Sequence, residues 1–404
     1  MTRLKISKRS RAVVGAVLAL ALVSGCGSSS SKSTSTTTAA GPASPGSAGQ
    51  AAAGGGGASL AAVKAKVAAF EKGPTLYQGP TVPVKVPTGI KLATVSCAAV
   101  VRGCVRPVQE AGIIAKELGW SVTAYDGQGT PKGANDAVEQ AVAGGANVIL
   151  TGGVDPSFIA GGFKAANAAH VLIASMSQGV GPSPGGYAFD IGADYTLLGD
   201  MIGDYVIADS DAKAVMLPFD DKSFASALAF VAGAVDTVRA CNTCSVLPRQ
   251  YFVSTDISTT LGPRAVDLVR SNPKITYIDG DYDPAAAGIV PALANAGLKG
   301  KVKVVGGLAN SQNLQYVKSG FVQTADAGFD NQYMGYMAIY QVARLLDKMP
   351  LWTTPGESRP QYIYSGHVPV RLFTTQSPPA STADYVATDT LNYVPKMRAL
   401  LGLK

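Results

Sequence analysis

Along the chain, apolar positions fall into two alternating periods. Leu60, Val63, Val67 and Phe70 recur at the spacing of one helix face, which predicts a short amphipathic helix over 59–72. From Ile90 onward, short apolar runs alternate with helix-period segments, the pattern of parallel βαβ units. Strands are predicted over 92–96, 120–125, 148–151 and 171–175, and helices over 107–118, 134–143 and onward from Asp155, an N-cap residue followed by Pro156. The same grammar restarts after an extended stretch over 187–191. Leu198, Met201, Ile202 and Tyr205 then mark a helix face, followed by a strand over 214–217, a helix over 226–239 and an extended stretch over 245–253. A helix over 263–270, a strand over 275–278, a helix over 284–296, strands over 302–305 and 322–325 and a long helix over 333–348 complete the series. Two successive α/β halves invite a ligand between them, outside the carboxyl ends of their strands.

The first 58 residues break this pattern. Arg3, Lys5, Lys8, Arg9 and Arg11 precede an apolar run over 12–23 that is short for a permanent membrane span. Val23-Ser24-Gly25-Cys26 follows and resembles the lipobox of bacterial lipoproteins, which implies a leader over 1–25 and a diacylglyceryl group on Cys26. The competing readings are an ordinary signal peptide with an incidental cysteine, or a core helix. Residues 27–58 are almost only Ser, Thr, Ala, Gly and Pro and read as part of a flexible tether, 26–58, with a random-coil reach of about 30 Å.

Charge and cysteine count narrow the function classes. The net charge of +7 arises mostly in the leader, whose five basic residues have no acid among them, so the body has no electrostatic footprint for nucleic acid. With 47% hydrophobic residues in 404, the chain can build large cores. Besides Cys26 there are four cysteines, and an even number in an exported chain fits two disulfides. Cys97 with Cys104 and Cys241 with Cys244 is the preferred pairing of the three possible. Only His170 and His367 are available as imidazole ligands, and neither lies near a cysteine in sequence, so no metal is expected. No cofactor motif is present. No Gly-x-Ser-x-Gly elbow, HExxH or phosphate-binding loop occurs, which argues against an enzyme.

Four local patterns carry a family resemblance. They are the stretch from Lys116 through Gly119-Trp120 to Asp126, then Gly144-Gly145-Ala146 before the strand ending near Gly152. The others are Ile191-Gly192-Ala193-Asp194 with Leu198-Gly199 and Gly203-Asp204-Tyr205, and Asp283 to Gly288 followed by Val304-Val305-Gly306. In this order they resemble the type I periplasmic binding proteins of ABC transporters, in particular the ribose-binding group, with a further match near His367 to Leu372. The resemblance implies two Rossmann-like lobes with parallel sheets joined by a three-strand hinge. It places lobe 1 at 90–193 plus 326–357 and lobe 2 at 194–325 plus 358–372, after an N-terminal helix and linker over 59–89. Residues 373–404 form a C-terminal extension without an assigned role.

It also implies ligand contacts just after strand ends: Ser96, Val101, Gly152, Met176 and Ser177 in the first lobe, Phe219, Asp220, Asp283 and Leu308 in the second, and Phe329 and Gln332 near the last crossing. The chain departs from the sugar-binding pattern. Met176-Ser177 stands where the ribose group has Asp-Arg, Gly307-Leu308 where Gly-Phe-Asp is common, and 224–230 lacks an arginine. Such a pocket is less charged and more apolar. Asp283 reads equally as a ligand acceptor or as a helix cap before Pro284. A solvated turn is the favoured account of Asp220 and Asp221. Met176 and Phe329 can be core or pocket lining.

The expected function is that of an extracytoplasmic solute-binding lipoprotein. It would be a monomer anchored by lipid to the outer face of the bacterial membrane, capturing a small sugar-like or less polar solute and delivering it to an ABC permease. The alternative is a sensory lipoprotein presenting its bound form to a membrane receptor.

Overall fold

The computed structural model describes residues 59–179, 185–353 and 368–404. The leader, Cys26, the tether and His367 lie outside the described residues. The Ser59 hydroxyl accepts from the Ala62 amide and caps α1 (Leu60–Lys72).

The first lobe follows as β1 (Lys91–Ser96), α2 (Arg102–Glu117), β2 (Ser121–Asp126), α3 (Pro131–Ala143), β3 (Val148–Gly152), α4 (Ala160–Ala168), β4 (Leu172–Met176) and β5 (Asp190–Ile191). Its five strands are all parallel, in the order β2-β1-β3-β4-β5. β3 is covered on both faces, which is why its sequence is an apolar run, whereas β2 at the edge has no buried position. The helix predicted from Pro107 starts five residues earlier, at Arg102, and holds Pro107 in its interior. A proline there removes only the bond to the Gly103 carbonyl, one turn from the helix end, and the added turn reaches toward the second lobe.

The second lobe contains α5 (Tyr195–Asp209), β6 (Val215–Asp221), α6 (Ala225–Arg239), β7 (Ser245–Val246), β8 (Gln250–Phe252), α7 (Leu261–Ser271), β9 (Tyr277–Tyr282), α8 (Asp283–Asn295), β10 (Lys303–Leu308), α9 (Ser311–Ser319) and β11 (Gln323–Phe329). Then come α10 (Asn331–Leu346), β12 (Val370–Thr374), α11 (Thr388–Leu391) and α12 (Tyr393–Leu400). The sheet order is β12-β11-β10-β9-β6-β7, with β8 also on β6, and β12 alone runs antiparallel, against β11. Strands β6, β9 and β11 each extend four residues beyond their predicted ends. Asp220, Asp221, Asp279, Asp281 and Asp326 interrupt the apolar runs there, yet all five are fully buried. The favoured solvated turn at Asp220 and Asp221 is therefore replaced by two strand residues.

Helices α5 and α6 cross with almost no separation. A Cβ on Gly199 would lie 1.9 Å from the Phe230 carbonyl oxygen, and one on Gly233 would lie 2.3 Å from that of Thr196. The chain passes between the lobes from β5 to α5 and from β11 to α10, which packs on α2, and β12 lies again in the second lobe's sheet.

The terminal segments add two more passages. Helix α1 packs on α5 and β12, and Arg371 Nε donates to the Glu71 carbonyl at 2.9 Å, before the chain enters β1 of the other lobe. After β12, the C-terminal segment returns to α10, where Tyr393 packs edge-on against Tyr333 with centroids 5.0 Å apart. Its last helix meets the N-terminal linker, the Val84 amide donating to the Leu400 carbonyl at 3.0 Å. One continuous apolar core joins β1 and β3 through α10 and α5 to β11 and α12.

Candidate ligand-binding cleft

In each sheet the strand order reverses beside the first strand, between β1 and β3 and between β6 and β9, and a crevice forms at the carboxyl ends on either side of such a reversal. The two crevices face each other across an open cavity whose space, counting the part open to solvent, is about 580 Å³. The first lobe supplies Val101, Gly103 and Cys104 from the start of α2, Gly153 after β3 and Ser177 after β4. The hinge supplies Tyr195, Leu198 and Phe329. The second lobe supplies Phe224, Ser226, Ala227 and Phe230 from the start of α6, Asp281 and Tyr282 from β9, and Gly307 and Leu308 from β10.

Gly152 explains how α2 gets so close. A Cβ there would stand 2.1 Å from the Cys104 carbonyl oxygen, so any larger residue would push the helix start out of the cleft. Cys97 and Cys104 are close together, with Cα atoms 5.5 Å apart, and Cys241 and Cys244 are 5.4 Å apart, both separations that a disulfide spans.

Of the eleven predicted contacts, Val101, Ser177, Leu308 and Phe329 line the cavity. The others sit behind it. Ser96 and Met176 are buried at strand ends, with the Met176 carbonyl accepting from the Gly153 amide at 2.9 Å. Phe219 is packed in the second lobe's core beneath the Arg264 guanidinium, 5.1 Å from its centroid. Asp220 pairs with Arg249 at 2.8 Å. Asp283 is the first residue of α8, and its Oδ2 accepts from the Asn310 amide at 2.5 Å, bracing the loop before α9. Gln332 accepts from the Tyr393 hydroxyl at 3.2 Å.

Sequence reasoning missed Tyr195, Phe224, Phe230, Asp281 and Tyr282. The signal available was the alternation across 279–283, where two further acids precede Asp283 between the predicted strand and helix. Asp281 is fully buried, has a left-handed backbone with φ 63°, and its Oδ2 accepts from the Asp221 amide at 2.8 Å. Its Oδ1 has no protein partner. Burial pushes its carboxyl well above the usual carboxylate range, and Asp279, Asp220 and Asp221 push the same way. Asp221 is occupied, accepting from the Tyr282 hydroxyl at 2.7 Å and from Ser254 at 3.0 Å. The Tyr195 and Ser177 hydroxyls are neighbours, and neither closes a well-formed hydrogen bond within the protein. Among the described residues, no group of His, Cys, Asp or Glu is arranged to hold a metal ion. Nor is any helix there long and apolar enough to cross a membrane.

The periplasmic binding protein domain family matches residues 108–349. No curated protein matches the chain by sequence. Among solved structures, an ABC sugar transporter subunit from Rhodobacter sphaeroides superposes with TM-score 0.60 at 15% identity, covering 71% of this chain and 98% of that one. A 5-methylthioribose transporter solute-binding protein from Thermotoga lettingae, in complex with 5-methylthioribose, gives 0.61 at 18% identity, covering 73% and 88%. A sugar ABC transport substrate-binding protein from Bordetella parapertussis gives 0.62 at 14% identity, covering 76% and 96%. These likenesses show a shared two-lobed fold.

Proposed function

The chain belongs to the periplasmic binding protein domain family, a family of binding proteins rather than enzymes, and on that premise we propose that it is the extracytoplasmic solute-binding component of an ABC importer. It captures a small sugar-like or less polar solute between its lobes and delivers it to a permease. The single observation that carries this reading is a cavity walled by the strand ends of two sheets, so that closing the lobes buries the guest from both sides. Cys26 carries the lipid that holds the protein at the outer face of the membrane, and the tether gives the lobes room to reach the permease. Oxidation of Cys97 and Cys104 stiffens the cavity wall that Cys104 forms.

Isothermal calorimetry of the purified protein over sugars, deoxy sugars, polyols and small aromatic alcohols tests the binding step. Saturable binding with lobe closure in small-angle scattering is the expected result, and silence across the panel removes the reading. Loss of labelled lipid from a Cys26→Ala variant tests the anchor.

A further inference from the structure

We infer that the cleft selects a neutral solute with an apolar body, an alkyl, thioalkyl or aromatic group seated between the lobes, and a hydroxyl held by Asp281. The inference rests on the binding-protein reading and specifies its ligand.

Three observations converge on it. Among the described residues, the cavity wall contains no Arg, Lys, Asn or Gln, the planar or cationic side chains that would read a ring of hydroxyls or neutralise an anion. In their place stand aromatic rings in two edge-to-face pairs, Tyr195 with Phe329 at 5.9 Å and Phe224 with Tyr282 at 6.1 Å. Leu198, Leu308 and Phe230 extend the apolar surface. A polyhydroxylated guest would leave most of its hydroxyls buried without partners, which costs affinity at each one.

The polar groups that remain are few. Asp281 keeps Oδ1 without a partner although it is fully buried, and Ser177, only 7% exposed, has its Oγ beside the Tyr195 hydroxyl without a well-formed hydrogen bond. Tyr282 is no longer available, since its hydroxyl is committed to Asp221. Ser226 and Tyr195 complete the set.

The state of Asp281 decides between a neutral and a cationic guest. Asp220, Asp221 and Asp279 lie close by in the second lobe, and Arg249, paired to Asp220, acts on Asp220 and Asp279. A further ionised carboxylate in that interior is unfavourable, so Asp281 holds its proton. A carboxylic acid offers one donor and one acceptor, which is what a single hydroxyl needs in return. An ammonium guest would first have to expel that proton and then lose its own hydration. An anion would meet the neighbouring carboxylates.

The test compares matched ligands by calorimetry on the unaltered protein. 5-Methylthioribose is expected to bind at least about tenfold tighter than ribose, and benzyl alcohol at least about tenfold tighter than benzylamine. In Asp281→Asn, isosteric with the protonated acid, affinity for the preferred ligand should stay within about threefold, while Asp281→Ala should lose about tenfold or more. Tighter binding of ribose or benzylamine overturns the inference and leaves the solute-binding reading intact. Abolished binding in Asp281→Asn with an unchanged melting temperature overturns it as well. Silence from every ligand, including a wide sugar panel, overturns the solute-binding reading and this inference with it. The matched pairs need no variant, so they decide the matter even where a substitution unfolds the protein.

Discussion

Asp384, in the C-terminal extension, forms an ion pair with Arg106 Nε at 3.2 Å on the first lobe's α2, while its other oxygen accepts from the Ser311 amide at 2.9 Å at the start of the second lobe's α9. Arg102 joins the same carboxylate. A single side chain thus clasps the two lobes beside the cleft, next to the turn that brings Val101, Gly103 and Cys104 to the cavity. The lobes can separate only if one half of this clasp lets go.

Replacing Asp384 with Ala should therefore widen the cleft and lower stability by about 1–2 kcal/mol, a modest figure because Arg102 is half exposed and its pair is screened by solvent. Small-angle scattering of the ligand-free variant should report a larger radius of gyration, and urea unfolding the stability change. An unchanged radius would mean that the clasp does not limit opening.

Gly199→Ala tests the α5–α6 crossing. Helix propensity alone predicts a gain of about 1 kcal/mol. The new methyl would meet the Phe230 carbonyl oxygen at 1.9 Å, and since backbone cannot yield cheaply, overpacking should win by about 1–3 kcal/mol net loss. A rise in melting temperature would contradict the packing described.

Acidity should stabilise the protein over a defined window. Burial pushes Asp279 up to about 7 and Asp326 and Asp330 up to about 6, so each holds a proton in the folded state that it gives up on unfolding above its ordinary value of 3.8. A raised carboxyl contributes stability that is complete below the unfolded value and lost as pH rises through the folded one. The melting temperature should fall between pH 4 and pH 7, and Asp279→Asn should flatten the upper part of that slope. A melting temperature that climbs steadily over this range would refute it.

Reduction separates the two cysteine pairs. Cys97 and Cys104 are seven residues apart, and on the proposal that they are oxidised, losing the cross-link should cost about 2 kcal/mol and weaken ligand binding, because Cys104 lines the cavity. Cys241 and Cys244 lie away from the cleft, so Cys241→Ser should leave affinity unchanged. Calorimetry with and without reductant on Cys97→Ser and Cys241→Ser compares them.

The alternation of apolar runs was enough to place the parallel strands of both sheets and most helices, since buried strands and amphipathic faces write their period directly into the chain. It was not enough for α9, with only Leu314, Tyr316 and Val317 as apolar residues, or for β12, whose place depends on β11 running alongside it. The cavity lining was legible at Val101, Ser177, Leu308 and Phe329. It was misread by one or two residues around β9, because buried aspartates in a strand look like a turn until the amides of Asp221, Ala309 and Asn310 are seen to meet Asp281, Asp326 and Asp283.

By itself, then, the sequence determined the periodic parts, two α/β halves, and set the first 58 residues apart by composition. Tertiary structure alone decided which aspartate faces the cavity, that the terminal segments bind both lobes, and that Asp384 closes the clasp. Those relationships join residues far apart in the chain, and no local pattern records them, because burial and hydrogen bonding are settled only when distant strands pack.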